Sequence, residues 1–205
     1  MAGVQGLPDG PILVVGLGNP GPRYADPRHN LGFMVVAELA RRLGASLGRQ
    51  GHQSLWAQAR LGGRKLILAQ PQTYMNLSGQ AAAGLLRYFD LPAEAMVVVH
   101  DDLDLEPGRL KVAVKGGAGG HKGVASLLEH LKNQGFTRLK VGIGRPRYAE
   151  STEEFVLSGF YADQRGLFQE VVKAAADCLE VILAEGPQAA MQRFHRNISK
   201  EEVEG

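Results

Sequence analysis

The sequence predicts a single α/β domain: a mixed, mostly parallel twisted sheet with helices on both faces and a helical C-terminal segment. Three observations predict it. Short continuous apolar runs at Ile12–Val15, Met96–Val99 and Leu139–Ile143 read as strands buried on both faces, since a strand with one wet face alternates instead. Helical periodicity falls between these runs and dominates the last third. The 205 residues contain no low-complexity linker, which suits one domain with a substantial core. That domain is expected to span residues 1–205, with flexible ends at about 1–9 and 197–205.

The first strand breaks at Gly16 into a loop that carries Asn19, Tyr24, Arg28, His29 and Asn30 on a backbone stiffened by Pro20, Pro22 and Pro27. Open α/β sheets place ligands at the carboxyl ends of such strands. Gly16–Gly21 matches the G-x-G-x-x-G dinucleotide fingerprint. That pattern needs a helix starting among its glycines and an acid about 20 residues on. Prolines occupy the helix position, and Arg41 and Arg42 stand where the acid belongs, so the loop reads as an active-site loop of another kind. Asn30 is placed to cap a helix whose apolar face is Phe33, Val36, Ala37, Ala40 and Leu43, stopped by Gly44. Ser54–Leu61 and Lys65–Gln70 form a hairpin about Gly62-Gly63. Gly44–Gly48 fits G-x-S-x-G but follows a helix end, so Ser46 is a loop serine.

Pro71–Gly79 leaves a strand and enters a helix over Gln80–Phe89, with Asn76 or Ser78 as its cap. Met96–Val99 leads into His100-Asp101-Asp102-Leu103-Asp104. Three neighbouring carboxylates could hold a hard cation, but the spacing is not that of an EF-hand, and H-E-x-x-H and C-x-x-C are absent. The preferred reading is one buried acid at a strand end, orienting an imidazole from another loop. Lys115–Gly123 nearly matches a phosphate loop, yet His121 separates the glycines from Lys122, and Gly123 replaces the required Ser or Thr. A helix over Val124–Leu131 and the strand Leu139–Ile143 follow. Asp163 is expected to cap a helix with the stripe Leu167, Val171, Ala174, Cys178, Val181 and Ile182, ended by Gly186-Pro187. A short helix, Gln188–Phe194, comes last.

Composition narrows the class. Met1–Gly10 lacks the basic start and apolar stretch of a signal peptide, and no apolar run approaches a membrane span; a soluble cytoplasmic protein is expected. The one cysteine, Cys178, rules out an intramolecular disulfide framework and falls on an apolar stripe, as a core thiol would. Net charge is +2, but Leu105–Arg147 holds nine Lys or Arg against two acids. That segment is therefore +7 and the remainder −5, an asymmetry suited to phosphate binding or simply to a solvated basic face.

Four stretches together, GLGNPG with Tyr24 and Arg28-His29-Asn30, Pro71–Gly79, His100–Asp104, and Gly119–Gly123 with Gly142–Pro146, resemble the bacterial-type peptidyl-tRNA hydrolases in residues and order. The resemblance spans roughly Leu13–Pro146 and departs from the family at Lys122, where asparagine is usual. It implies hydrolysis of the ester joining an N-blocked peptide to the terminal ribose of tRNA, with no cofactor and no metal. His29 would be the general base on water and Asp101 its orienting acid. Asn76 would orient water or carbonyl, and Asn19 would contact the peptide. Tyr24, Tyr74 and Met75 would line the substrate pocket, with His121 and Lys122 beside it. Lys111, Lys115, Lys122, Arg138 and Lys140 are candidates for acceptor-stem phosphates, with the CCA end at the pocket and the protein a monomer. A non-catalytic RNA-binding relative is the alternative, against which stands the complete set Asn19, His29, Asn76 and Asp101.

Overall fold

The computed structural model describes residues 6–21 and 28–195. Tyr24 lies outside the described residues, as do most of the two expected flexible ends.

β1 (Ile12–Gly16), α1 (Leu31–Arg42), β2 (Arg49–Gly51), β3 (Ser54–Leu61), β4 (Arg64–Pro71) and α2 (Ser78–Tyr88) make the first half. β5 (Met96–Asp102), β6 (Leu110–Ala113), α3 (Lys122–Leu131), β7 (Thr137–Gly142), α4 (Thr152–Leu157), α5 (Arg165–Glu185) and α6 (Pro187–Phe194) make the second. One seven-stranded sheet runs in the order β2-β3-β4-β1-β5-β7-β6. Its centre, β4-β1-β5-β7, is parallel, while β3 and β6 run against their neighbours.

The apolar runs divide by the period of two that a strand imposes. Ile12 and Val14 join Val97, Val99, Leu139 and Val141 in a core beneath α1, α5 and α6. Leu13 and Val15 join Met96 and Val98 in a second core with α2 and α3. Every residue of β1 is buried because both faces are covered, and this is why the strand reads as continuous apolar sequence.

From β1 the chain builds the sheet to one side as far as β4, then crosses to β5 on the other side. The carboxyl end of β1 is therefore a switch point, where two neighbouring loops part and leave a crevice. Backbone contact fixes what hangs over it. A Cβ on Gly32 would lie 2.4 Å from both Leu17 N and Val99 O, and one on Gly16 would lie 2.2 Å from Gly32 O. Only glycines let α1 begin flush against the ends of β1 and β5, with the turn Arg28–Asn30 directly above them.

Several local expectations change. Asn30 precedes α1 but makes no capping bond, because its amide is spent on Asn19. Neither Asn76 nor Ser78 caps α2; the Ser78 hydroxyl donates to Met75 O at 2.9 Å instead. Asp163 sits in the turn before α5 and pairs with Arg147 at 2.8 Å. The buried face of α5 is Phe168, Val171, Ala175, Cys178, Leu179 and Ile182, so Leu167, Ala174 and Val181 flank the stripe. The Cys178 thiol is fully buried, and burial pushes its pKa up to about 12. The Gly62-Gly63 hairpin forms as expected, both residues at positive φ, the conformation a two-residue turn requires.

Candidate active site

Arg28, His29 and Asn30 make one turn of 3-10 helix, and all three are buried. Each reaches a different part of the chain. Asn30 binds the loop after β1: its Oδ1 accepts from Asn19 N at 2.7 Å, and its Nδ2 donates to Asn19 O at 3.0 Å. Arg28 reaches the end of α4 and the residue after it, where its Nη1 donates to Phe155 O at 3.0 Å and to Ser158 Oγ at 2.7 Å. His29 reaches β5, its Nδ1 lying 2.8 Å from Asp101 Oδ1.

Asp101 is 2 % exposed, and its Oδ1 receives a second imidazole, His121 Nε2, at 3.1 Å. The tautomers follow from the partners. His121 Nδ1 accepts from Gly123 N and Val124 N at 3.1 and 3.3 Å, capping α3, so its proton is on Nε2 and points at Asp101. The Asp101 oxygen accepts only, so His29 carries its proton on Nδ1. The lone pair of His29 is thereby left on Nε2. Burial opposes ionisation of Asp101, yet the two imidazoles on its Oδ1 hold the carboxyl well below the usual range.

His100 is also buried. Its Nδ1 donates to Asp101 O at 2.7 Å, and burial, with His121 beside it, pushes its pKa well below the ordinary value. It stays neutral and tightens the strand end. A cavity of about 260 Å³ opens at this corner, with His29, His100, Asp101, His121, Lys122 and Glu153 in its wall. A larger groove of about 580 Å³ lies elsewhere, among Met34, Phe160, Phe168 and Val172, and holds no imidazole–carboxylate cluster.

His29, Asp101 and His121 bring donor atoms within 4.8 Å of one another, a spacing a divalent ion could use. Here both imidazole nitrogens already point protons at one oxygen, and the other nitrogen of His121 is committed to α3. The donor set is arranged to hold protons.

The remaining expected residues divide into three groups. Asn19 is buried, and its Oδ1 accepts from Met75 N at 2.9 Å, which leaves Nδ2 for a ligand. Met75 is buried and abuts Gly123, where an added Cβ would meet its sulfur at 2.5 Å; it joins the Asn19 loop to the start of α3. Asn76 and Tyr74 are exposed on the same turn. Lys111 and Lys115 are exposed, Lys122 pairs with Glu153 at 3.0 Å, and Lys140 pairs with Asp102 at 2.8 Å.

Arg138 is a correction. It is 1 % exposed, donates to Gly117 O and Gly116 O at 2.7 and 2.6 Å, and stacks on Phe136. It braces the glycine loop from inside and offers nothing to an external phosphate. Sequence reasoning also missed the second half of His121, since histidine is not a favoured N-cap. The role of Arg28 was missed too; the signal available was an arginine one residue before the expected base.

The sequence profile described as Peptidyl-tRNA hydrolase matches residues 13–202. The chain is 46 % identical over 185 residues to the peptidyl-tRNA hydrolase of Moorella thermoacetica, covering 90 % of this chain and 97 % of that one. It is 44 % identical over 184 residues to that of Aquifex aeolicus, covering 90 % and 96 %. The crystal structure of peptidyl-tRNA hydrolase from Acinetobacter baumannii superposes with a TM-score of 0.84 at 31 % identity, over 91 % of this chain and 95 % of that one.

Proposed function

The chain belongs to the peptidyl-tRNA hydrolase family and is a peptidyl-tRNA ester hydrolase, and on that premise we propose that His29 is its general base and Asp101 the acid that orients it. The observation that carries the reading is the His29–Asp101 hydrogen bond of 2.8 Å, whose sense leaves an unprotonated Nε2. That nitrogen takes a proton from water as the water oxygen bonds to the ester carbonyl carbon. Asp101 stabilises the imidazolium that forms. When the tetrahedral intermediate collapses, the bond to the ribose oxygen breaks and the imidazolium returns the proton to that oxygen. A positioned base of this kind is worth about 10² to 10⁴-fold.

Asn76 orients the water or the carbonyl, and Asn19 Nδ2 hydrogen-bonds the peptide, favouring N-blocked substrates. Tyr24, Tyr74 and Met75 take the terminal adenosine or the acyl side chain, with His121 and Lys122 at the pocket wall. Base stacking on an aromatic ring contributes about 1–3 kcal/mol. Lys111 and Lys115 meet acceptor-stem phosphates directly, whereas Lys122 must first leave Glu153 and Lys140 must first leave Asp102. The protein acts as a cytoplasmic monomer, and among the described residues no helix is long and apolar enough to cross a membrane.

The test is release of N-acetyl-aminoacyl groups from tRNA beside unblocked aminoacyl-tRNA, for the wild type and His29→Ala. Cleavage of the blocked ester alone, lost in the variant, is the expected result. An unchanged rate in His29→Ala would falsify the assignment of the base.

A further inference from the structure

The proposed chemistry leaves Arg28 unused, although it is among the largest fully buried side chains. A buried guanidinium is costly unless paired, and burial lowers the pKa of this one. Its hydrogen-bond partners are neutral oxygens: Phe155 O at 3.0 Å, Ser158 Oγ at 2.7 Å and Ser158 O at 3.3 Å. Nε and Nη2 have no hydrogen-bond partner among the described residues. The rings of Phe155 and Tyr161 face its carbon at 4.0 and 4.3 Å, so aromatic faces attract the guanidinium, and the Glu150 carboxylate favours its charge from beyond hydrogen-bond reach. The Arg28 backbone N–H also donates to Ser158 O at 3.1 Å.

Main chain and side chain of one residue thus grip the same short stretch, Phe155–Tyr161, and the next residue is His29. On the opposite side Asn30 is held by two bonds to Asn19. His29 sits between two fixed neighbours. We propose that Arg28 is a positioning residue: it clamps the end of α4 and the segment after it to the catalytic turn and so sets where His29 Nε2 points. This rests on the reading of His29 as the base. A displacement of about 1 Å at a catalytic group can cost 10²-fold, which gives the clamp a kinetic consequence.

The experiment uses Arg28→Met, Arg28→Lys and Ser158→Ala, with kcat and KM on N-acetyl-aminoacyl-tRNA, thermal melting, and the downfield NMR signal of the His29 Nδ1 proton. Arg28→Met should lower kcat about 10- to 100-fold, leave KM within about twofold, and broaden or shift the imidazole signal. Arg28→Lys keeps the charge but lacks the planar fork, and should fall between it and the wild type. If Arg28→Met does not fold, Ser158→Ala decides, since it removes the shortest bond without stranding a charge. A loss of kcat there supports the clamp, and wild-type kcat with an unmoved imidazole signal overturns it. A rise in KM alone, or a lower melting temperature with full kcat per folded molecule, also overturns it when the imidazole signal stays in place. A displaced imidazole signal with intact kcat would keep the clamp and remove His29 as base.

Discussion

Asp101 on β5 and the lysines of β7, β6, the glycine loop and the start of α3 are held by opposite means. At Asp101, two imidazoles converge on one buried oxygen, and each is fixed from behind, His29 by the turn Arg28–Asn30 and His121 by the α3 amides. On the flank, Lys111 and Lys115 are exposed, and Lys122 and Lys140 are tied only to the single carboxylates of Glu153 and Asp102. Buried polar groups with complete partners specify one geometry, because an alternative would strand a donor or a charge. Exposed charges act through a field that tolerates movement and is screened by salt. The corner should therefore govern kcat and the flank KM.

The sharpest test of that division is Asp101→Asn. The amide oxygen can still accept from both imidazoles on the Oδ1 side, but the amide removes the charge proposed to stabilise His29 as it protonates. We expect kcat to fall on the order of 10³-fold with little change in KM, measured by single-turnover hydrolysis. An effect confined to KM would merge corner and flank into one binding surface.

Acid stability separates the two regions next. The Asp101 carboxyl is depressed in the folded state, with burial opposing and the two imidazoles outweighing it. A depressed carboxylate adds stability above its unfolded pKa, about 3.9, and that contribution is lost as pH falls below this value toward the folded one. Thermal melts from pH 6 down to about pH 3 should therefore decline more steeply in the wild type than in Asp101→Asn. Lys111→Gln should keep the wild-type slope. Parallel curves for wild type and Asp101→Asn would mean that the carboxyl is not held as the geometry implies.

How much of this was legible before the fold depends on whether the determinant was local. The β1 and β5 strands, the Gly62-Gly63 turn and the buried thiol of Cys178 are written in adjacent residues. The pairing of His29 with Asp101 required residues 72 positions apart to meet, and it was reachable because the loop after β1 and the end of β5 share one edge of the sheet and because the family resemblance joined them. Asn30 misled because its residue type fits a helix cap, whereas tertiary contact with Asn19 claimed the amide. Arg138 misled because a charge count cannot see that an arginine in a strand covered on both faces points inward. Its neighbours Thr137 and Leu139 are buried as well, and a reading that put strand burial before charge would have withdrawn it from the basic face.

For the flank, Lys111→Gln and Lys115→Gln should each raise KM a few-fold, leaving kcat unchanged. The log–log dependence of KM on salt should become shallower by about 0.7–0.9 for each phosphate that a variant no longer neutralises. Equal slopes in wild type and variants would remove these two positions from the RNA surface.

The smallest effect expected is at Glu153, and it runs the other way. Its carboxylate holds Lys122 at 3.0 Å with both side chains well exposed, a kind of pair worth about 0–1 kcal/mol. A phosphate that reached Lys122 would have to displace this carboxylate, so on the proposed reading Glu153 would compete with the substrate at the cavity rim. Glu153→Gln frees the ammonium while keeping the shape of the side chain. KM should fall about twofold at low salt, and the gain should fade as salt rises, because the competition is between screened charges. A raised KM would show instead that Glu153 presents Lys122 in the orientation the RNA needs, which would make one pair on the flank geometric in the way the corner is.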